Sequence, residues 1–226
     1  DVHSEFHELI VCAKKDLDYI SGENISIIPS AVRTDEFFPK LALRKKRTFI
    51  FSGNLSYAPN VHAVKWFIDK VYPLLKRERF SFCFHIIGRN PAVAIKQAVY
   101  GKDEVRLVGF VPSMVDALNE SSFAIAPMQS GSGMQGKILE AMACGVPVLT
   151  TSLGRGSIEA HPEQGLFVAD TPDEFCNHIV DLLENEEKCS SAGVAAREFI
   201  LNNHEVQLSL PILENIYQKV IATSRS

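Results

Sequence analysis

From residue 47 onward, short apolar runs alternate with longer stretches of helical periodicity. The runs "RTFIFSG" (47–53), "FCFHIIG" (82–88), "EVRLVGF" (104–110), "SFAIAPM" (122–128), "VPVLTT" (146–151) and "GLFVA" (165–169) predict strands. Residues 60–75 place Val61, Val64, Trp66, Phe67, Ile68, Val71, Leu74 and Leu75 mostly on one helical face, behind Pro59 and Asn60. Weaker or shorter helices are predicted over 91–100 and over 113–121, with Ser113 as N-cap. A helix over 134–144 follows, then three more near 172–185, 187–202 and 205–223.

Strands that are apolar throughout, each followed by a helix, predict a parallel sheet buried on both faces. Right-handed crossovers then give an α/β fold with an open, doubly wound parallel sheet and helices on both faces. Ligands of such sheets bind at the carboxyl ends of the strands. Those ends are Gly53-Asn54, Gly88-Arg89-Asn90, Gly109-Phe110-Val111, Met128 to Gly133 and Thr150 to Gly156. The first 46 residues read differently. "HELIVCA" and "NISIIP" are strand-like, "KKDLDYI" forms a helical turn or two, and "SAVRTDEFFPKLALRKKR" has no clear period. So little structure cannot bury a core, so this segment reads as the remnant of another domain followed by a linker.

Composition narrows the partners. A net charge of −4 gives no footprint for nucleic acid. The run Arg44, Lys45, Lys46, Arg47 reads as a solvated connection. Cys12, Cys83, Cys144, Cys176 and Cys189 are scattered and odd in number, without a C-x-x-C pair. That favours a reducing compartment over a disulfide framework or a zinc site. His3 and His7 are four apart but lack a third ligand, so they read as a solvated terminus, and no metal site is expected. His85, in an apolar strand, reads as a satisfied core histidine. No apolar stretch reaches the roughly 20 residues that span a bilayer. No signal peptide is visible, and a chain that starts at Asp1 suggests processing or excision.

The stretch "SGSGMQGKILEAMACGVPVLTT" holds two phosphate-binding patterns and completes neither. Gly131, Gly133 and Gly136 satisfy G-x-G-x-x-G, but no acidic residue follows the next strand to hold a ribose, and the turn comes after the fourth strand instead of the first. Gly131 to Lys137 satisfies G-x-x-x-x-G-K, but Ile138 cannot supply the hydroxyl that a P-loop gives magnesium. What remains is the helix start itself. Main-chain N–H groups at Gly133, Met134, Gln135 and Gly136 carry about half a positive charge and suit an anion such as a diphosphate. Lys137 adds a full charge, and Glu140, one turn on, is placed to accept hydroxyl hydrogens from a ribose diol. The alternative is a capped core helix whose glycines allow close packing.

Taken in order, these segments resemble a known family. "GKILEAMACGVPVLTT" is similar to the hallmark segment of family 4 (group 1) retaining glycosyltransferases, which have the GT-B fold. "ISIIPSAVRTDEFFP" resembles the stretch that joins their two domains. "FIFSGNLSYAPNVHAVKWF" resembles the first strand and helix of their C-terminal domain, and "HIIGRNP", "VRLVGFVPSMVDALNESSFAIAPM" and "GLFVADTPDEFCNHIVDLLEN" follow in the expected order. The resemblance implies residues 1–46 as remnant and linker, 47–204 as a Rossmann-like nucleotide-sugar-binding domain, and 205–226 as a C-terminal helix.

It also implies roles. Glu140 would hold the ribose, and Gly133, Met134, Gln135 and Gly136 the diphosphate. Phe110 and Val111 would receive the base, and Gly53 would let the backbone approach the diphosphate. Lys137 and Glu140 are thus the candidate catalytic residues, with Gly53, Asn54, Arg89, Phe110, Val111, Ser132, Gly133, Met134, Gln135 and Gly136 binding the donor. The pattern departs from the family at three places. Ser132 stands where the first motif glutamate belongs, and Asn54 and Asn60 fall where a basic pair usually meets the diphosphate. Lys137 and Arg89 are the residues that could take over that charge.

The implied reaction is transfer of a hexosyl group, with retention, from a nucleotide-diphosphate sugar to a hydroxyl acceptor in polysaccharide or glycoconjugate synthesis. No metal cofactor is needed, because amides and Lys137 would stabilise the leaving diphosphate. The acceptor would be bound mainly by an absent N-terminal domain, so this fragment alone should bind donor weakly and transfer nothing. A cytoplasmic location is expected, with any peripheral contact at the inner membrane face made through that domain. A GT-B nucleotide-sugar epimerase and a degenerate, non-catalytic nucleotide-binding domain are the alternatives.

Overall fold

The structure is a computed structural model that describes residues 6–20, 22, 24–79, 81–131 and 136–223. Two short strands, β1 (Leu9–Val11) and β2 (Ile25–Ile27), pair in parallel with each other and stand apart from the main sheet. The main body alternates as the apolar runs predict. It comprises β3 (Thr48–Ser52), α1 (Ala58–Trp66), α2 (Tyr72–Arg77), β4 (Cys83–Ile87), α3 (Val93–Val99), β5 (Val105–Gly109), α4 (Met114–Asn119) and β6 (Phe123–Ala126). It continues with α5 (Gly136–Ala143), β7 (Val148–Thr150), α6 (Ser152–Arg155), β8 (Leu166–Val168), α7 (Pro172–Glu184), α8 (Glu186–Asn203) and α9 (Val206–Thr223).

The six strands β3–β8 lie in the order β5-β4-β3-β6-β7-β8, and every pairing is parallel. The doubly wound sheet expected from the sequence is therefore present. Its order reverses between β3 and β6, so the helices after those strands, α1 and α5, start on either side of one crevice. Phe49 anchors the core at that reversal. Its fully buried ring stacks on Phe84 from β4 at 4.9 Å and on Phe123 from β6 at 5.0 Å.

Local chemistry explains most boundaries. The Ser113 side chain accepts from the Asp116 N–H at 3.1 Å and caps α4, as expected. Thr171 and Glu174 form a reciprocal capping box at α7. The helix expected over 60–75 is interrupted by a π-helical turn, Phe67–Val71, closed by the Tyr72 N–H on the Phe67 carbonyl. Pro73 follows at once. It has no N–H and its ring crowds the preceding turn, so the wider π turn relieves the clash. Of the helix expected over 134–144, residues 134 and 135 lie outside the described residues. Neither α6 nor the 3-10 turn at Pro162–Gln164 was expected.

Two expectations need correction. Arg44 is not part of a solvated run. It is half-buried, and its guanidinium donates to the carbonyls of Gly145 at 3.2 Å, Cys144 at 3.4 Å and Ser122 at 3.4 Å, while burial lowers its pKa. Arg44 thus satisfies carbonyls of the turn that follows α5. Lys45 and Lys46 do remain exposed, paired with Glu120 and Glu186. His85 is half-buried and opens into a cavity of about 240 Å³ instead of packing into the core; burial and Arg106 push its pKa down.

Because three strands meet on one ring, Phe49→Ala should cost about 3–5 kcal/mol of stability. Urea unfolding followed by circular dichroism would measure the loss.

Candidate functional site

At the sheet's reversal the backbone of β3 and β4 comes close. Gly53 and Gly88 both sit at a φ of +154°, and a Cβ on Gly88 would lie 1.7 Å from the Gly53 carbonyl oxygen. Only glycine allows that crossing. The strand tips stay joined, with the Gly53 N–H on the Ile87 carbonyl at 3.0 Å and the Gly88 N–H on the Gly109 carbonyl at 2.8 Å. Opposite them, the segment after β6 reaches the start of α1. Ser130 Oγ lies 3.1 Å from His62 Nδ1, and Gly131 packs against Pro59. The crevice is thus walled by segments that follow β3, β4 and β6.

Lys137 crosses this crevice. Its ammonium donates to Asn60 Oδ1 at 2.6 Å and lies over the Phe51 ring, 4.4 Å from the centroid. It also lies against Gly53, where an added Cβ would stand 3.0 Å from Nζ. Asn60 is buried, and its Nδ2 donates to the Asn54 carbonyl at 3.0 Å, so both ends of its amide are engaged. Burial lowers the Lys137 pKa to about 8, and the nearby Glu140 carboxylate offsets part of that shift. Glu140 is moved the other way, upward by burial, with Lys137 opposing. The two are not in contact as an ion pair among the described residues. An anion entering here would meet a cation that lacks a carboxylate partner.

Glu140 lines a cavity of about 210 Å³, together with Gly136 and with Ser30, Val32, Arg33 and Phe37. This 30–37 stretch, read from sequence only as a linker, therefore forms a wall beside Glu140. It is held by the crossing after α8, where the Val32 N–H donates to the His204 carbonyl at 2.8 Å. At the far end of α5, Arg197 donates to the Ala143 carbonyl at 2.8 Å, beside Arg44.

The remaining sequence-predicted residues divide. Gly53 and Lys137 meet in the crevice, while Gly136 and Glu140, on the same helix as Lys137, line the cavity beside residues 30–37. The Arg89 guanidinium stacks on Phe110 at 4.7 Å, and the Arg89 carbonyl accepts from the Leu55 N–H at 3.0 Å, which joins the β4 and β5 tips to the β3 turn. Asn54 Oδ1 is spent on the Ser56 N–H and hydroxyl, so its side chain builds the turn. Val111 lines the separate cavity beside His85. Ser132, Gly133, Met134 and Gln135 lie outside the described residues. Among the described residues no group of three or more His, Cys, Asp or Glu side chains could hold a metal, and no helix is long and apolar enough to cross a membrane. Sequence reasoning missed Asn60 and Phe51 as partners of Lys137. Its one signal was an uncharged residue at a position where a cation was expected.

Residues 46–185 match the family described as "Glycosyl transferases group 1". An uncharacterized 44.6 kDa protein in the cps region of Klebsiella pneumoniae is 27% identical over 217 residues, covering 91% of this chain and 54% of that protein. The chain therefore spans about half the length of this relative. Among solved structures, S. aureus TarM aligns with a TM-score of 0.81 at 18% identity, over 95% of this chain and 44% of TarM. Anabaena HepE, solved with UDP and glucose, aligns with a TM-score of 0.72 at 16% identity, over 97% of this chain and 63% of HepE. At these identities the structural likeness establishes the fold alone.

The depressed Lys137 pKa has a measurable sign. Between pH 8 and 10.5 the unfolded chain holds the proton that folded Lys137 has released, so stability rises with pH across that window. Relative to the parent, Lys137→Met should therefore fare best at pH 7, where the parent carries the desolvated charge, less what the unpaired Asn60 oxygen costs. The gap should narrow by pH 10, read from paired urea titrations.

Proposed function

The chain belongs to the group 1 glycosyl transferases, and on that premise we propose that it is the donor-binding half of an enzyme that transfers a sugar from a nucleotide-diphosphate sugar to a hydroxyl acceptor. The observation that carries this reading is the position of Lys137. Its ammonium rests against the Gly53 turn at the sheet's reversal, with Glu140 on the same helix. In this reading the diphosphate lies along Gly53 and the start of α5, where Lys137 and the main-chain amides of residues 133–136 neutralise it. Glu140 accepts the ribose hydroxyls from its cavity beside residues 30–37. The base lies at the tip of β5, near Phe110 and Val111, with Arg89 at its edge.

Chemistry then reduces to holding a leaving group. As the glycosidic bond to the donor breaks, negative charge builds on the diphosphate oxygen. In this reading the Lys137 ammonium and main-chain amides meet that charge, and no metal is required. The transfer is read as retaining, in polysaccharide or glycoconjugate synthesis. In this reading residues 47–204 are the donor domain, residues 1–46 the remnant of an acceptor-binding N-terminal domain with its linker, and 205–226 a C-terminal helix. Any membrane contact would be peripheral and made by that half. HepE, whose structure contains UDP and glucose, supports UDP as the first nucleotide to try.

Isothermal titration of the folded chain with UDP and with GDP should give binding to one of them. Glu140→Ala should weaken it about tenfold or more, the scale of a hydrogen bond to a charged group. No heat with either nucleotide would overturn the donor-site reading; unchanged affinity in Glu140→Ala would favour a degenerate domain.

A further inference from the structure

The family resemblance expects a basic pair near positions 54 and 60, and this chain has asparagine at both. Yet a cation is present there. The Lys137 ammonium arrives from α5, on the opposite side of the crevice, and ends 2.6 Å from Asn60 Oδ1. We propose that Asn60 is a positioning residue of the donor site: its amide oxygen holds the Lys137 ammonium against the Gly53 turn, so that a lysine carried by α5 supplies the diphosphate charge at the place where α1 has none. This inference rests on the donor-site reading above and adds the residue that aims its charge.

Three features make the role specific. Asn60 is buried and its amide cannot rotate freely, because Nδ2 is committed to the Asn54 carbonyl. Its oxygen is therefore fixed toward Lys137. Residue 53 leaves room for this arrangement by having no Cβ; one there would stand 2.8 Å from Asn60 Nδ2 and 3.0 Å from Lys137 Nζ and would press on both. The holder is also neutral. A carboxylate at position 60 would fix the ammonium more tightly but would cancel the charge that an arriving diphosphate needs. An amide orients the ammonium and leaves its charge unspent.

The groups that face Lys137 are few. From β3 they are the Phe51 ring and the Gly53 backbone, from α1 the Asn60 amide, and on α5 Glu140, its one charged neighbour among the described residues. Its protonation should therefore follow what stands at position 60. An apolar residue removes an acceptor that favours the ammonium, and a carboxylate strengthens it.

The test compares the parent chain, Asn60→Leu, Asn60→Asp and Lys137→Met, with UDP and uridine as ligands over pH 6.5 to about 10. The parent should lose UDP affinity as Lys137 deprotonates. The midpoint of that loss should move to lower pH in Asn60→Leu and to higher pH in Asn60→Asp. Both should bind UDP about tenfold more weakly at pH 7, as expected for a lost or cancelled charge-assisted contact, while affinity for uridine, which has no phosphate, stays the same. A merely structural asparagine would weaken both ligands together and leave the midpoint in place, and that result would overturn the inference. So would UDP binding that is lost in Lys137→Met but indifferent to both Asn60 variants; the donor-site reading would then stand. A parent chain that does not bind UDP or GDP would remove the reading itself. If Asn60→Leu does not fold, the isosteric Asn60→Asp decides alone, and an unmoved midpoint in it counts against the proposal.

Discussion

Two guanidiniums at the end of one short helix hold the site in place. Helix α5 is eight residues long, and Ile138, Leu139, Ala141, Met142 and Ala143 are buried. The carbonyls of Glu140, Ala141 and Met142 accept from the N–H groups of Cys144, Val146 and Gly145, which leaves that of Ala143 and those of the following turn for donors from elsewhere. Arg44, from before β3, and Arg197, from α8, donate to the carbonyls of residues 143–145. Arg197 also donates to the Phe37 and Thr34 carbonyls at 2.6 and 3.2 Å, so the same cation ties the 30–37 wall to the helix. Positive charge at the carbonyl end is favourable. The helix can neither slide nor turn without breaking these contacts, and its first turn is thereby fixed against β3.

The other end of α5 carries the opposite balance. Lys137 lies in the first turn, where the helix dipole is positive and a cation is disfavoured. It is also half-buried, and that desolvation disfavours the charged form again. A Phe51 face and one amide oxygen offset only part of that cost. The stable arrangement at one end thus pins an unfavourable one at the other, and an anion would relieve it. A capped core helix would not need this arrangement, since a leucine at position 137 would fill the same space without a charge to desolvate.

The six strands and nearly all helices were legible because each depends on its own run of residues. Continuous apolar stretches, glycine stops and a Ser113 cap are local signals, and the sheet ends only trimmed them by a residue or two. What was not legible depends on pairs far apart in the chain. Arg44 looked solvated beside Lys45 and Lys46, and only the carbonyls of Ser122, Cys144 and Gly145 made it a buried donor. The π turn required Pro73 to meet a helix already packed on the sheet. Asn60 and Lys137 are 77 positions apart, and nothing joins them until β3 and β6 become neighbours in the sheet. The glycines and Lys137 could be read as phosphate chemistry, but their geometry was set by topology.

Moving the charge from α1 to α5 changes how the parts of a donor would be held. In the proposed reading, Lys137 and Glu140 stand three residues apart on one helix, about 4.5 Å in backbone rise. A cation on α1 would instead reach the diphosphate across the crevice, and its distance from Glu140 would follow any shift between the two helices. On α5 that distance is internal to one element. The glycine at 53, the amide at 60 and the lysine at 137 are best understood together, because a Cβ on the first would crowd the ends of the other two, at 2.8 Å from Asn60 Nδ2 and 3.0 Å from Lys137 Nζ.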